Sequence, residues 1–125
     1  MAHPDYPPHA MKVKVRALIS PDVNLDSFWP EDETDFSFLL QALIGPSDGV
    51  GEESLQFIVC TPKNIARRLV RERIMFGHSL ILVDSPCIPP LLRAVTVAIE
   101  RVEGATWSDI VRKLARLGAH EFDDA

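Results

Sequence analysis

The stretch "FSFLLQALIGPSDGVGEESLQFIVCT" at residues 36–61 decides the fold. Apolar residues alternate with other residues on both sides of a polar, glycine-rich turn at 46–53. Such alternation is typical of half-buried strands, and a turn of this composition joins antiparallel neighbours. We therefore predict a hairpin of strands 36–45 and 54–61. Its inward-facing residues would be Phe36, Phe38, Leu40, Ala42, Ile44, Leu55, Phe57 and Val59.

The segments on either side of the hairpin supply one more strand and a first helix. "MKVKVRALIS" at 11–20 alternates, so it predicts a strand with Val13, Val15, Ala17 and Ile19 on its inner face. After the hairpin, Thr61 suits a helix N-cap and Pro62 the first helical position. The following helix has an apolar stripe at Ile65, Ala66, Leu69 and Val70.

The last third of the chain alternates between strand and helix patterns. It predicts a fourth strand at 78–84, a second helix at 90–103 and a third helix at 107–117. The predicted order is βββαβαα. This order indicates an α+β fold with a mainly antiparallel four-stranded sheet and helices packed on one face.

Length and composition indicate one domain. We expect a disordered leader at 1–10, a single domain at 11–119 and an acidic tail at 120–125. No apolar run approaches the ~20 residues that span a bilayer, so we expect no membrane segment. The chain has two cysteines, too few for a disulfide framework. A reducing cytoplasm fits these features.

Charge is distributed unevenly along the chain. Residues 20–62 contain nine acidic residues and no Lys or Arg, whereas residues 63–119 contain ten basic and five acidic residues. Phosphates repel an acidic surface, so nucleic acid is disfavoured and a basic partner is favoured. The alternative is that the acidic segment is a solvated loop that keeps the protein soluble.

Cys60 is the first candidate for chemistry, because it lies between a strand and a helix as the cysteine of a phosphatase loop does. That loop needs an arginine six residues later, but Ala66 occupies this position and Arg67 is one residue late. One residue rotates a helix by about 100°. The loop also needs glycines and free backbone NH groups, whereas Pro62 removes one NH. We predict a structural cysteine and no catalytic residue.

Metal and cofactor sites have equally weak signals. No histidine pair or cysteine pair has the spacing of metal ligands. Asp22, Asn24, Asp26 and Glu33 match positions 1, 3, 5 and 12 of a calcium loop, but Ser27 stands where the sharp turn requires glycine. We predict no metal and no cofactor, with a small-ligand or calcium-binding module as an alternative.

The segment "LDSFWPEDETDF" at 25–36 surrounds two large aromatic residues with acids. Aromatic side chains among acids suit an interface with a basic protein. A second interpretation stays open, in which Trp29 folds back to fill the core. The candidate partner-binding residues are Asp22, Asp26, Phe28, Trp29, Glu31, Asp32, Glu33 and Asp35.

Three segments of the chain resemble a known family. They are "SPDVNLDSFWPEDETDFSFLLQALIGP" (20–46), "GEESLQFIVCTP" (51–62) and "EGATWSDIVRKLARLGAHEF" (103–122). They resemble immunity protein family eight of bacterial polymorphic toxin systems, over about residues 11–122. The resemblance implies a non-enzyme that is encoded beside a toxin, binds the toxin domain and protects the producing cell. Many such toxins are nucleases with basic clefts, which would suit an acidic surface.

The expected partner is therefore a cognate toxin domain, with no nucleic acid and no membrane. A homodimeric scaffold joined through exposed strand edges is the remaining alternative.

Overall fold

A computed structural model describes residues 10–120 of the chain. Most of the predicted leader and of the predicted acidic tail lies outside these residues. The elements are β1 (Met11–Ile19), β2 (Ser37–Pro46), β3 (Glu53–Cys60), α1 (Pro62–Glu72), β4 (Leu80–Leu82), α2 (Ile88–Glu100), β5 (Glu103–Gly104), α3 (Trp107–Leu114) and β6 (Ala119–His120). The α+β class is confirmed, with three helices in the described part of the chain.

One mixed sheet forms the frame of the molecule. Its strand order is β4-β3-β2-β1-β5, and β6 pairs with β3 as well. The predicted hairpin is confirmed, because β2 and β3 are antiparallel with Leu40 opposite Phe57 and Ala42 opposite Leu55. β1 lies antiparallel on the other side of β2.

The predicted number of four strands is wrong, and the sheet is mixed, because one pair of strands is parallel. Six strands are present in residues 10–120, and β4 runs parallel to β3. A helix between two strands returns the chain to the end from which the first strand started, so α1 makes β4 parallel. β5 and β6 have two residues each, too few to show a periodic pattern.

The hydrophobic core lies between the inner face of the sheet and helices α2 and α3. The inward residues of β2 and β3 are buried as the alternation predicts. α2 and α3 complete the core with fully buried Ile99, Ile110 and Leu114. Pro89 and Pro90 lie in the first turn of α2, where proline does not interrupt a helix.

The inner face of β1 differs from the prediction. The pairing with β2 shifts between Val15 and Ala17, so Arg16 is an extra residue in a β-bulge. Beyond the bulge the alternation is inverted, because Leu18 packs against the core while Ile19 is 43% exposed. The predicted inward direction of Ile19 is therefore wrong.

Arg16 in the bulge binds the hairpin turn. Its guanidinium donates to the carbonyl oxygens of Pro46 at 3.0 Å and Gly49 at 2.8 Å. A side chain at Gly45 would collide with this guanidinium and with the carbonyl of Gly51. The close approach therefore requires glycine at position 45.

Helix α1 begins as predicted, but it does not cover the core. Thr61 is the N-cap, and its hydroxyl accepts the backbone NH of Asn64. No side chain of α1 belongs to the core cluster or to the residues packed against it. Of the predicted stripe, Ile65 and Leu69 are half-buried and Val70 is exposed. The prediction that the helices pack together on one face therefore holds for α2 and α3 alone.

Candidate partner-binding surface

The segment between β1 and β2, residues 20–36, is a loop built by its own polar side chains. The Ser20 hydroxyl accepts the backbone NH groups of Asp22 and Val23 at 3.1 and 3.2 Å. The Asn24 side chain accepts the NH of Asp26 at 2.9 Å. Such short-range bonds fix a loop backbone without regular secondary structure. We refer to residues 22–35 as the acidic loop.

Phe28 anchors the acidic loop to the core. Its ring centroid lies 5.3 Å from that of Phe36 and 5.0 Å from that of Phe38. Val23 and Leu25 also pack against the core from this loop. These contacts give Phe28 the core-filling role that the sequence left open for Trp29.

Trp29 points away from the core. Its side chain is 63% exposed, and its indole Nε1–H donates to the Glu33 carboxylate at 2.9 Å. The bond holds the ring against an acid four residues later on the outside of the loop. The two neighbouring side chains therefore point in opposite directions, Phe28 toward the core and Trp29 toward solvent.

Two ion pairs connect the acidic loop to α1. Asp32 accepts from Lys63 Nζ at 3.2 Å. Asp35 accepts from Arg67 Nε at 2.7 Å and from Asn64 Nδ2 at 3.0 Å. We call these contacts the loop–helix latch. They place the N-terminal half of α1 directly beside the acids of the loop.

Hydrogen bonds from Thr34 and from the latch residues keep both aspartates ionised. The Thr34 hydroxyl, then the Thr34 backbone NH and Lys63, lower the pKa of Asp32 to about 2. The hydrogen bond from Arg67 lowers the pKa of Asp35, and the same bond raises the pKa of Arg67. Each carboxylate accepts more than one hydrogen bond, which favours its charged form.

The other predicted partner-binding residues differ in their contacts. Asp22 accepts the backbone NH of Leu39 at 2.7 Å. This NH belongs to the part of β2 that extends beyond its last pair with β1, so the carboxylate supplies the acceptor that β1 does not. Asp26 and Glu31 are exposed and form no ion pair with another described residue. The structure therefore brings Trp29, Glu31, Asp32, Glu33 and Asp35 together, and uses Asp22 and Phe28 to hold the loop.

Sequence reasoning missed a second exposed feature, which lies at the C-terminal end of α1. Val70 is 77% exposed, Ile74 is 74% exposed and Phe76 is 90% exposed. The apolar stripe of α1 was visible in the sequence. Its failure to reach the core was not visible, because periodicity does not reveal what a stripe packs against.

Within residues 10–120, the structure supports neither the nucleophilic cysteine nor the metal site that the sequence analysis considered. Cys60 is fully buried, and burial raises the pKa of its thiol, which disfavours the nucleophilic thiolate. No group of three or more His, Cys, Asp or Glu among residues 10–120 could hold a metal ion. In the calcium-loop register, Asp22 and Asn24 use side-chain oxygens to accept backbone NH groups.

Comparison with known families matches residues 13–125 of the chain to a family described as Immunity protein 8. The chain belongs to the immunity protein 8 family. The match covers nearly the whole chain and includes the acidic loop, the hairpin and all three helices. It confirms the family that the sequence resembles.

Membership of the immunity protein 8 family indicates an immunity protein that acts against a toxin. Immunity proteins are generally inhibitors without catalysis of their own, which agrees with the burial of Cys60. No curated protein and no solved structure shows significant similarity to the chain. Within residues 10–120, every helix is too short or too polar to cross a bilayer.

Proposed function

We propose that this member of the immunity protein 8 family binds a cognate toxin domain in a one-to-one complex and blocks its activity. The acidic loop is the surface that meets the toxin. The observation that carries this proposal is a preformed loop that presents Trp29 and ionised acids on its outer side, beside α1. A preformed surface binds at a lower entropic cost than a loop that must first become ordered.

In this proposal the surface of the toxin is basic, because it must complement the negative charge of the acidic loop. The loop carries six acids, and α1 neutralises Asp32 and Asp35 through the latch. The remaining four acids leave the loop with a net negative field that attracts a cation-rich cleft. A nuclease toxin, whose active site must hold phosphates, would offer such a cleft. The acidic loop would then occupy the position of the nucleic acid backbone.

The roles within the loop follow from the contacts. Asp26, Trp29, Glu31 and Glu33 face solvent and would touch the toxin. Asp22, Phe28, Asp32 and Asp35 hold the loop in shape and would act through its geometry. Location in the cytoplasm of the producing cell would place the complex where an incoming toxin acts.

The experiment uses the protein domain encoded next to this chain, which the family leads us to expect is the toxin. Co-expression of the two should rescue growth, and purified proteins should form a one-to-one complex. The variant Asp26→Asn/Glu31→Gln/Glu33→Gln should associate roughly tenfold more slowly at low salt, because exposed charges steer encounter. The difference should shrink as salt shortens the Debye length to about 8 Å.

A control variant removes two acids elsewhere, compared with three in the loop variant. Asp48→Asn/Glu52→Gln neutralises two exposed acids in the hairpin turn, away from α1. It should keep most of the wild-type association rate. Equal slowing by the two variants would show a general charge effect and no role for the loop. Failure of the wild-type protein to rescue growth or to bind would refute the proposed function.

A further inference from the structure

We infer that Val70, Ile74 and Phe76 form an apolar anchor that inserts into the toxin domain. We call these three residues the apolar ridge. The inference rests on the proposed function and adds a second contact to it. The acidic loop would attract the toxin, and the apolar ridge would hold it.

The exposure of the apolar ridge is the first observation. Single exposed apolar side chains are normal on protein surfaces. Here three large side chains at least 74% exposed lie within seven residues. Within the described part of the chain, most of the surface of each of these side chains faces water. A protein gains from such a surface only when a partner covers it.

The ridge is held in place at its start by the end of α1. Arg73 caps the helix, and its NH donates to the Leu69 carbonyl at 2.9 Å. The NH of Ile74 donates to the Glu72 carbonyl at 2.7 Å. Arg73 has a φ of 67°, an uncommon value for a residue with a side chain. The chain thus turns sharply where Ile74 leaves the helix.

The ridge is also held at its far end. His78 Nε2–H donates to the Ala115 carbonyl at the end of α3, at 2.7 Å, and Ser79 Oγ–H donates to His78 Nδ1 at 3.2 Å. The Ser79 carbonyl accepts the NH of Ile58 in β3. The backbone between Arg73 and Ser79 is therefore fixed at both ends. The apolar side chains are presented to solvent by a positioned loop.

Val70 lies on the face of α1 that carries the latch to the acidic loop. Lys63 and Arg67 make the latch to the loop, and Val70 follows them at i+7 and i+3 on the helix. Residues with this spacing lie on the same face of an α-helix. Val70 lies about 10 Å along the helix axis from Lys63, at 1.5 Å per residue. A partner that meets the acidic loop can therefore extend along this face of α1 to Val70, where the apolar ridge begins.

The charged residues near the apolar ridge favour the toxin domain, and not a second copy of this chain, as the partner that covers the ridge. Arg71 and Arg73 are exposed between Val70 and Ile74, and the acid between them, Glu72, already accepts from Arg68 at 3.2 Å. A symmetric dimer through the ridge would bring these arginines toward their own counterparts, which like charges disfavour. The matching surface is instead an apolar pocket with carboxylates at its rim, beside the basic area that the acidic loop faces.

Dissociation rates test the inference. The probe is the protein domain encoded next to this chain, with its catalytic residues inactivated, in a surface-binding assay. Phe76→Ser and Ile74→Ser should each accelerate dissociation roughly 30-fold or more, the effect of removing an interface hot spot. Their association rates should stay within about threefold of wild type, because most interface substitutions act on dissociation.

Val50→Ser is the matched control. Val50 is 96% exposed in the hairpin turn, so the substitution removes an equally accessible apolar side chain elsewhere. It should dissociate like the wild type. Thermal unfolding should be the same for all three variants, since none removes a core contact.

The possible outcomes separate the two proposals. If the wild type binds and the ridge variants dissociate at its rate, the inference is wrong and the proposed function stands. If the wild type neither binds nor rescues growth, the proposed function and the inference about the ridge are both wrong. If light scattering shows a dimer that Phe76→Ser converts to a monomer, the ridge is a self-association surface and the inference is overturned.

Discussion

Thr61 lies where the hairpin, the acidic loop and α1 meet. Removing its hydroxyl tests how the fold holds the loop in place. The residue is 1% exposed. Its Oγ1 accepts the NH of Phe36 at 3.2 Å and the NH of Asn64 at 3.3 Å. The first bond fixes the end of the loop, and the second caps the helix. Thr61→Val removes the hydroxyl and keeps the shape of the side chain.

The expected loss has two parts. Removal of an N-cap oxygen costs about 1 kcal/mol. A buried NH left without an acceptor costs about 1–3 kcal/mol more. Thr61→Val should therefore lower the free energy of unfolding by about 2–4 kcal/mol. The acidic loop should loosen at the same time, because the NH of Phe36 loses its acceptor, the Thr61 hydroxyl.

Thr106 provides the comparison. It caps α3, but it is exposed, and its hydroxyl accepts one bond, from the NH of Asp109 at 3.1 Å. Water can replace that bond, so Thr106→Val should cost about 1 kcal/mol. Urea unfolding followed by circular dichroism measures both. With a slope of about 2 kcal/mol/M, the midpoints should differ by roughly 0.5–1.5 M. Equal losses at the two caps would refute the second role of Thr61.

Three further predictions follow from burial, close contact and charge. Gly118→Ala would place a Cβ 2.7 Å from the Phe57 ring, so it should cost about 1–3 kcal/mol in a thermal melt, and an unchanged melting temperature would show that the ring can move. The pKa of Asp32 is about 2 in the folded protein and 3.8 ordinarily, so its stabilising contribution is complete above pH 3.8 and is lost as the pH falls through about 2. An NMR titration of this carboxyl with a midpoint near 3.8 would contradict the hydrogen bonds that it accepts from Thr34 and Lys63. Cys87 is exposed and Cys60 is buried, so a thiol reagent should modify one cysteine in the native protein and both in urea.

The sequence was most informative where one pattern repeats over a long segment. β2 and β3 alternate over 10 and 8 residues, and their inward residues are buried as predicted. The bulge in β1 was hidden because Ala17, Leu18 and Ile19 are all apolar. Either face of the strand was then compatible with the core, and the pairing with β2 decided between them.

The residue types of the candidate site were predictable from the sequence, but the direction in which each side chain points was not. The acids and aromatics of the loop are evident in the sequence. Phe28 and Trp29 are neighbours of similar size, so the sequence alone could not decide which of them fills the core. The decision follows from Phe36 and Phe38, whose rings leave an aromatic site beside β2 that Phe28 occupies. Partners distant in sequence therefore set the direction of each loop residue.

Helix α1 shows the same dependence on distant partners at the level of a whole element. An apolar stripe predicts burial, but the inner face of the sheet is already covered by α2 and α3, which bring Ile99, Ile110 and Leu114 into the core. Since α1 must connect the parallel strands β3 and β4, it has to cross beside the sheet even though no core position remains for Val70. Its N-terminal half is held by acids of the loop, and its C-terminal half carries Val70 and leads into Ile74 and Phe76, the rest of the apolar ridge. The topology that makes β4 parallel thus also leaves an amphipathic helix with one apolar end free to meet a partner.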